Sequence, residues 1–355
     1  DGGGDGLCAT VSVGEEGRLN RIAAVPVSES IGYVYSMATF LLGMVPEEHE
    51  YKLMGLAPYC SADKRRAVQK DLLKIFSFAP GSGLTWGRRN GCPPTQYSYR
   101  FFQRLLETRR FDAVCGGVQD FCEEMLVQWV ANCVRETGIR KVALGGGVFL
   151  NVKANKRIMD LPEVESLYIA PSCGDETNCF GAALAVYSEE RAREPDLPPL
   201  QPLTSLYLGP EFGDDAVAAS LAASGARYSH HRNVEERLAA LLAAGEVVAR
   251  FHGRMEFGAR ALGNRSILAN PSRPDVIRVI NEMIKCRDFW MPFAASLLPE
   301  RAEEYAVNPK KIDAPYMILC FDTRPEIRPS IAAASHPYDY TIRPQVVFPD
   351  WNPSY

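Results

Sequence analysis

Residues 113–150 constrain the fold more than any other stretch. From about Ala113 to Thr137 the apolar residues Val118, Phe121, Met125, Leu126 and Trp129 recur at three and four, the spacing of one helix face. The run KVALGGGVFLN follows, a buried-type strand with three glycines in its course. A second short strand, SLYIAPS, and a helix from about Asn178 to Arg191 come next. Helices that alternate with continuous apolar strands predict an α/β domain.

Upstream, LCATVSV and RIAAVPV read as two strands joined by the turn EEGRLN. Residues Ile31 to Leu42 read as a helix, and Pro80 to Gln96 as a Gly/Pro/Thr-rich loop. Downstream, REPDLPPLQPLTS holds four prolines in thirteen residues and is the best linker candidate. The pattern then restarts with helices near 214–224 and 234–244, a strand EVVARFHG, a Gly/Arg loop, a helix over Pro274 to Met283, and strands PFAASLL and YMILCF. The expected boundary lies near residue 200, with one domain over 1–199 and a second over 200–355. There is no internal repeat.

The 355 residues suffice for two cores. No apolar run approaches the roughly 20 residues that span a bilayer. A net charge of −4 argues against a non-specific nucleic-acid binder, which needs a basic surface. None of the ten cysteines forms a C-x-x-C pair, so zinc spacing is absent and reduced thiols in a cytoplasmic protein are expected.

Six segments carry candidate chemistry. Gly145, Gly146 and Gly147, ahead of Asn151, let a backbone approach a phosphorylated ligand, although a tight strand-to-helix turn also uses glycine. Asp175 sits on a strand-end turn, where it suits either a metal or a helix cap. Asp1 and Asp5, in DGGGD, suit a divalent metal or simply a turn. Gly181 inside a helix costs roughly 1 kcal/mol relative to alanine and suggests close packing there. The most informative run, Gly253–Ser266, holds Arg254, Arg260 and Arg265 among glycines that include Gly258. Lys285-Cys286-Arg287 and the segment around Arg343 add two further basic groups. Three such groups in an acidic protein suggest a convergent anion pocket, with surface ion pairs as the alternative.

The stretches DGGGD, YKLMGLAPY, GGGVFLNVKANKRI, GDETNCFGAAL, GRMEFGARALGNRSILANP, INEMIKCRDFWMPFAAS and HPYDYTIRPQVV occur in order over nearly the whole chain. Together they resemble the NodU/CmcH-type O-carbamoyltransferases, which include the tobramycin, cephem and ansamycin enzymes. The resemblance implies an α/β, actin/hexokinase-like (ASKHA, Kae-like) domain followed by an α+β, YrdC-like domain. The second would join carbamoyl phosphate and ATP into carbamoyl adenylate with loss of pyrophosphate. The first would pass the carbamoyl group to a hydroxyl of a small acceptor near a divalent metal, iron or magnesium.

Carried over by position, Arg260, Lys285 and Arg343 would hold carbamoyl phosphate or nucleotide phosphates, and Asp1 and Asp175 would ligate the metal. Gly145, Gly146, Gly147, Asn151, Gly258 and Arg265 are the candidate nucleotide contacts. A homodimer is compatible with the family; nucleic-acid or membrane partners are not expected. Two departures stand out: Ala259 replaces the family's proline, and Met291 replaces an arginine that can bind an anion. The family's H-x-x-x-H metal ligands and its N-T-S-F-N motif have no counterpart among these residues, so a fragment is expected, with histidine ligands outside it. A tRNA threonylcarbamoylation-type enzyme would share both folds, but the acidic charge counts against it. A small-molecule kinase of the actin/hexokinase class would leave the arginine-rich run unexplained.

Overall fold

The computed structural model describes residues 1–355. The chain divides into two compact units. The first is Asp1–Cys173 with the returning segments Pro309–Ile312 and Ile318–Cys320; the second is the remainder. This division falls ahead of the proline-rich stretch rather than near residue 200.

In the first unit, strands β1 (Leu7–Glu15) and β2 (Arg18–Pro26) form an antiparallel hairpin. Glu16 and Gly17 close it with φ of 50° and 74°, the left-handed pair that a two-residue hairpin turn requires. Helix α1 (Ile31–Leu41) starts at Ser30, whose hydroxyl accepts from the Tyr33 amide at 3.1 Å. Helix α2 (Ala62–Leu73) packs along the spine of the unit, the 27-residue α3 (Phe111–Thr137). Gly116 and Gly117 make the approach possible: a Cβ on Gly117 would lie 2.4 Å from Val68 Cβ. The periodic residues Val118, Phe121, Met125, Leu126 and Trp129 are all buried, as the spacing predicts. Gly138, with φ 70°, ends the helix.

Strands β3 (Lys141–Leu144) and β4 (Ser166–Ile169) then pair in parallel, with α4 (Val152–Met159) as the crossover. The helix between the two strands is an addition to the sequence reading, and the expected strand KVALGGGVFLN ends at Leu144. The segment read as a loop over Pro80–Gln96 instead contains a short strand, Trp86–Arg88, paired with Phe76–Phe78. Trp86 and Trp129 hold it edge-to-face at 5.2 Å.

The second unit opens with α5 (Asn178–Arg193). The proline-rich stretch folds back along this helix: Tyr187 donates to the Pro198 carbonyl at 2.9 Å, and Arg191 Nε to the Leu197 carbonyl at 3.3 Å. A Cβ on Gly181 would meet nothing within 4 Å, so the close packing expected there is absent. Strands β5 (Val248–Phe251) and β6 (Arg265–Leu268) are antiparallel, and the Gly/Arg run is the long connection between them. The expected helix over 274–283 is a single α-turn, Asp275–Arg278, continued as a π-helical turn, Val279–Ile284. The expected strands PFAASLL and YMILCF shrink to β7 (Ser296–Leu297) and β8 (Phe321–Asp322), paired with Gln345–Val346 and Thr341–Ile342 respectively. No helix in the chain is long and apolar enough to cross a membrane, and all ten cysteines are free thiols.

Candidate functional site

In the first unit the candidate site is the end of β3. Gly146 has φ 106°, and a Cβ there would approach Asp1 Cβ at 3.6 Å. A Cβ on Gly147 would approach Asp1 Oδ1 at 3.3 Å. Asp1 is therefore held against the glycine turn. On its other side α1 reaches it through Gly32, where a Cβ would lie 2.8 Å from the Asp1 carbonyl oxygen. Asp1 Oδ1 accepts from the Gly2 amide at 2.7 Å. The turn thus presents glycine backbone beside an exposed carboxylate.

Asn151 is buried and caps α4, its Oδ1 accepting from the Ala154 amide at 3.1 Å. Its amide also pairs both ways with Gln119 of α3: Gln119 Nε2 donates to Asn151 Oδ1 at 2.9 Å, and Asn151 Nδ2 donates to Gln119 Oε1 at 3.0 Å. Tyr35 completes the set by donating to Gln119 Oε1 at 2.8 Å. Asn151 accordingly fixes the turn against the helical spine. Gln119, a buried polar residue of α3 that the sequence motifs do not mark, is the hub of that network.

In the second unit the candidate site is the β5–β6 connection. Its centre is Glu256, whose Oε1 accepts from the amides of Leu262 at 2.8 Å, Asn264 at 2.7 Å and Arg265 at 3.1 Å. The connection turns through left-handed glycines, Gly253 at φ 54°, Gly258 at 101° and Gly263 at 113°. Half-buried Arg260 lies in the part of the loop that this carboxylate closes.

Arg265 is held by the loop itself. Its Nη1 donates to the His252 and Asn264 carbonyls, both at 2.9 Å, its Nη2 donates to the Gly253 carbonyl at 3.2 Å, and its guanidinium lies 3.6 Å from the centre of the Phe251 ring. Beneath the loop, buried Arg250 donates to the Gly263 carbonyl and to Asn264 Oδ1, both at 2.9 Å, and to Ser354 Oγ at 2.6 Å. Burial pushes its guanidinium below the ordinary arginine range. Neither Glu256 nor Arg250 was singled out by the sequence, although both fall in or beside the flagged run.

The three basic groups are placed as follows. Arg343 is half-buried in the short link between Thr341–Ile342 and Gln345–Val346. Gln345, two residues on, donates through Nε2 to the Leu262 carbonyl at 2.7 Å, which ties this link to the Arg260 loop. Lys285 is exposed at the end of the π-helical turn, its amide donating to the Ile280 carbonyl at 2.8 Å. Fully buried Asn281 organises the residues that follow: its Oδ1 accepts from Arg287 Nε at 2.7 Å and its Nδ2 donates to the Met291 carbonyl at 3.2 Å. Met291 itself is a core side chain.

Asp1 lies in the first unit, and exposed Asp175 in the second. Nowhere in the chain do three His, Cys, Asp or Glu side chains converge on a metal position. The residues present therefore do not make up a metal-ligand set of their own.

Comparison with known proteins places this architecture. The model of the carbamoyltransferase N-terminus matches residues 1–184, and that of the carbamoyltransferase C-terminus matches residues 239–355. The chain belongs to the carbamoyltransferase family. The whole chain is 31% identical to 52% of nodulation protein NolNO of Sinorhizobium fredii and 30% identical to 64% of nodulation protein NolO of Bradyrhizobium diazoefficiens. It is 29% identical to 63% of an uncharacterized protein of Synechocystis sp.. The chain thus spans between about half and two thirds of the length of these curated relatives. The N-terminal family model runs past Cys173 into α5, so the first family domain and the first compact unit end at different points.

Proposed function

We propose that this chain carries much of an ATP-dependent O-carbamoyltransferase acting on a small-molecule hydroxyl. The observation that carries the reading is the β5–β6 connection of a carbamoyltransferase-family chain. It is an arginine loop closed on an internal carboxylate and joined through Gln345 to the segment that bears Arg343. Arg260, Arg343 and Lys285 neutralise carbamoyl phosphate and the phosphates of ATP. Water takes up the donor's phosphoryl group, which leaves as inorganic phosphate, and carbamate remains. A carbamate oxygen attacks the α-phosphate, pyrophosphate departs, and carbamoyl adenylate forms. The acceptor hydroxyl then attacks the carbamoyl carbon, releasing AMP.

The glycine turn at Gly145–Gly147 suits the second step, because its residues carry no side chains of their own and a Cβ on Gly145 would meet open space. The metal that the resemblance implies finds no ligand set among these residues, so no step here runs through it.

In the natural full-length protein, pyrophosphate release from ATP is expected to require carbamoyl phosphate. Lys285→Ala removes a charge-assisted contact of roughly 1.5–3 kcal/mol, which lowers that rate about ten- to hundredfold. ATP turnover that ignores carbamoyl phosphate would instead favour the kinase reading.

A further inference from the structure

We infer that Glu256 is the positioning residue for Arg260. A carboxylate within an arginine loop that binds phosphates would oppose the ligand if it faced the site. Here its Oε1 is directed at the main chain, collecting the amides of Leu262, Asn264 and Arg265 within 3.1 Å. These hydrogen bonds span the loop from residue 256 to residue 265 and enclose Arg260. The loop needs such a tie. Gly258 and Gly263 adopt left-handed φ and give the chain little resistance to rearrangement. A catalytic side chain must also be held to within about 0.5 Å to act.

The other tethers hold different parts of the loop. Phe257 is anchored by its amide to the Leu206 carbonyl at 2.8 Å and by its ring against Phe180 at 4.8 Å. Asn264 donates to the Arg254 carbonyl at 2.8 Å and so closes the base. Glu256 joins the two sides of the segment that carries Arg260.

This inference rests on the carbamoyltransferase reading, and its test separates the two. In the natural full-length protein, pyrophosphate release is measured against carbamoyl phosphate concentration for wild type, Glu256→Gln, Glu256→Ala, Arg260→Ala and the double variant Glu256→Ala/Arg260→Ala. Glu256→Gln keeps an acceptor oxygen in place and should stay close to wild type. Glu256→Ala should raise the KM for carbamoyl phosphate about tenfold. In the Arg260→Ala background the same change should add almost nothing, since coupled residues are non-additive; a generally damaged fold would still add its full loss.

If Glu256→Ala does not fold, Glu256→Asp replaces it in the same cycle. Its shorter side chain cannot reach all three amides, so it should raise KM in the same Arg260-dependent way. Active wild type with an unaffected alanine variant, or losses that multiply in full, overturn the positioning role alone. Wild type that releases no pyrophosphate with carbamoyl phosphate overturns the underlying reading and the inference with it.

Discussion

Substituting Gly117 by alanine tests the packing on which the first candidate site rests. The new Cβ would lie 2.4 Å from Val68 Cβ, 2.7 Å from Val68 Cγ1 and 2.8 Å from the Arg65 carbonyl oxygen. Carbon atoms in ordinary contact sit about 3.5–4.0 Å apart, so α2 and α3 must separate by roughly 1 Å. The carbonyl cannot swing aside as a flexible side chain would. Overpacking of this kind costs about 1–3 kcal/mol, and alanine returns about 1 kcal/mol through helix propensity. The upper part of the range applies because backbone is involved, which leaves a net loss of about 2 kcal/mol. For a unit of this size that lowers Tm by about 4–8 °C. Gly181→Ala provides the opposite case, for its Cβ would enter open space and only the propensity gain of about 1 kcal/mol remains. Denaturant unfolding of both variants, followed by tryptophan emission, gives the comparison, and Trp86 and Trp129 report on the first unit. A Gly117→Ala protein as stable as wild type would refute the close approach of α2 to α3. A destabilised Gly181→Ala protein would show that something packs against that position of α5 after all. Because Gln119 lies two residues from Gly117, displacement of the helix should also loosen Asn151 and the glycine turn.

Two further outcomes follow from burial and charge. Burial pushes the Cys115 and Cys122 thiols up to about 12, so both remain protonated at pH 8, whereas Cys179 and Cys286 are exposed. Mass spectrometry after brief alkylation should therefore find Cys179 and Cys286 modified before Cys115 and Cys122; early modification of the buried pair would contradict the core. Burial alone would raise the Glu29 carboxyl, but hydrogen bonds from Arg88 and Ser28 outweigh it and hold it below the usual carboxylate range. A depressed folded-state value stabilises above the unfolded value and is lost as pH falls through the folded one. Glu29→Gln should thus be less stable than wild type at pH 7, with the gap narrowing in acid; a gap independent of pH would dismiss the ion pair.

Periodicity made α3 legible, because a one-faced helix leaves a repeating pattern in any sequence, whereas the eight-residue crossover helix α4 is not read from it. Close approach left a weaker trace. Gly117 and Gly181 both sit inside helices, yet one faces Val68 and the other faces open space, and nothing adjacent in the chain distinguishes them. The proline-rich stretch likewise reads as a linker from composition, while Tyr187 and Arg191 bind it back along α5 through main-chain carbonyls that composition does not reveal.

The arginine run shows the same limit at the candidate site. Its composition marks a place where charge and flexible backbone meet, but arginine serves two opposite ends there. Arg265 gives its donors to carbonyls of the loop and covers Phe251, so it helps build the cradle. Arg260 lies in the segment that the cradle closes around, and it is the arginine to which the phosphate-binding role is proposed. That segment is tied by Glu256, a residue of the wrong charge for the expected ligand. Its value depends on turning toward three amides rather than toward the site. Within a loop of this kind, the acid is as informative as the arginines, because it shows which part of the backbone is fixed.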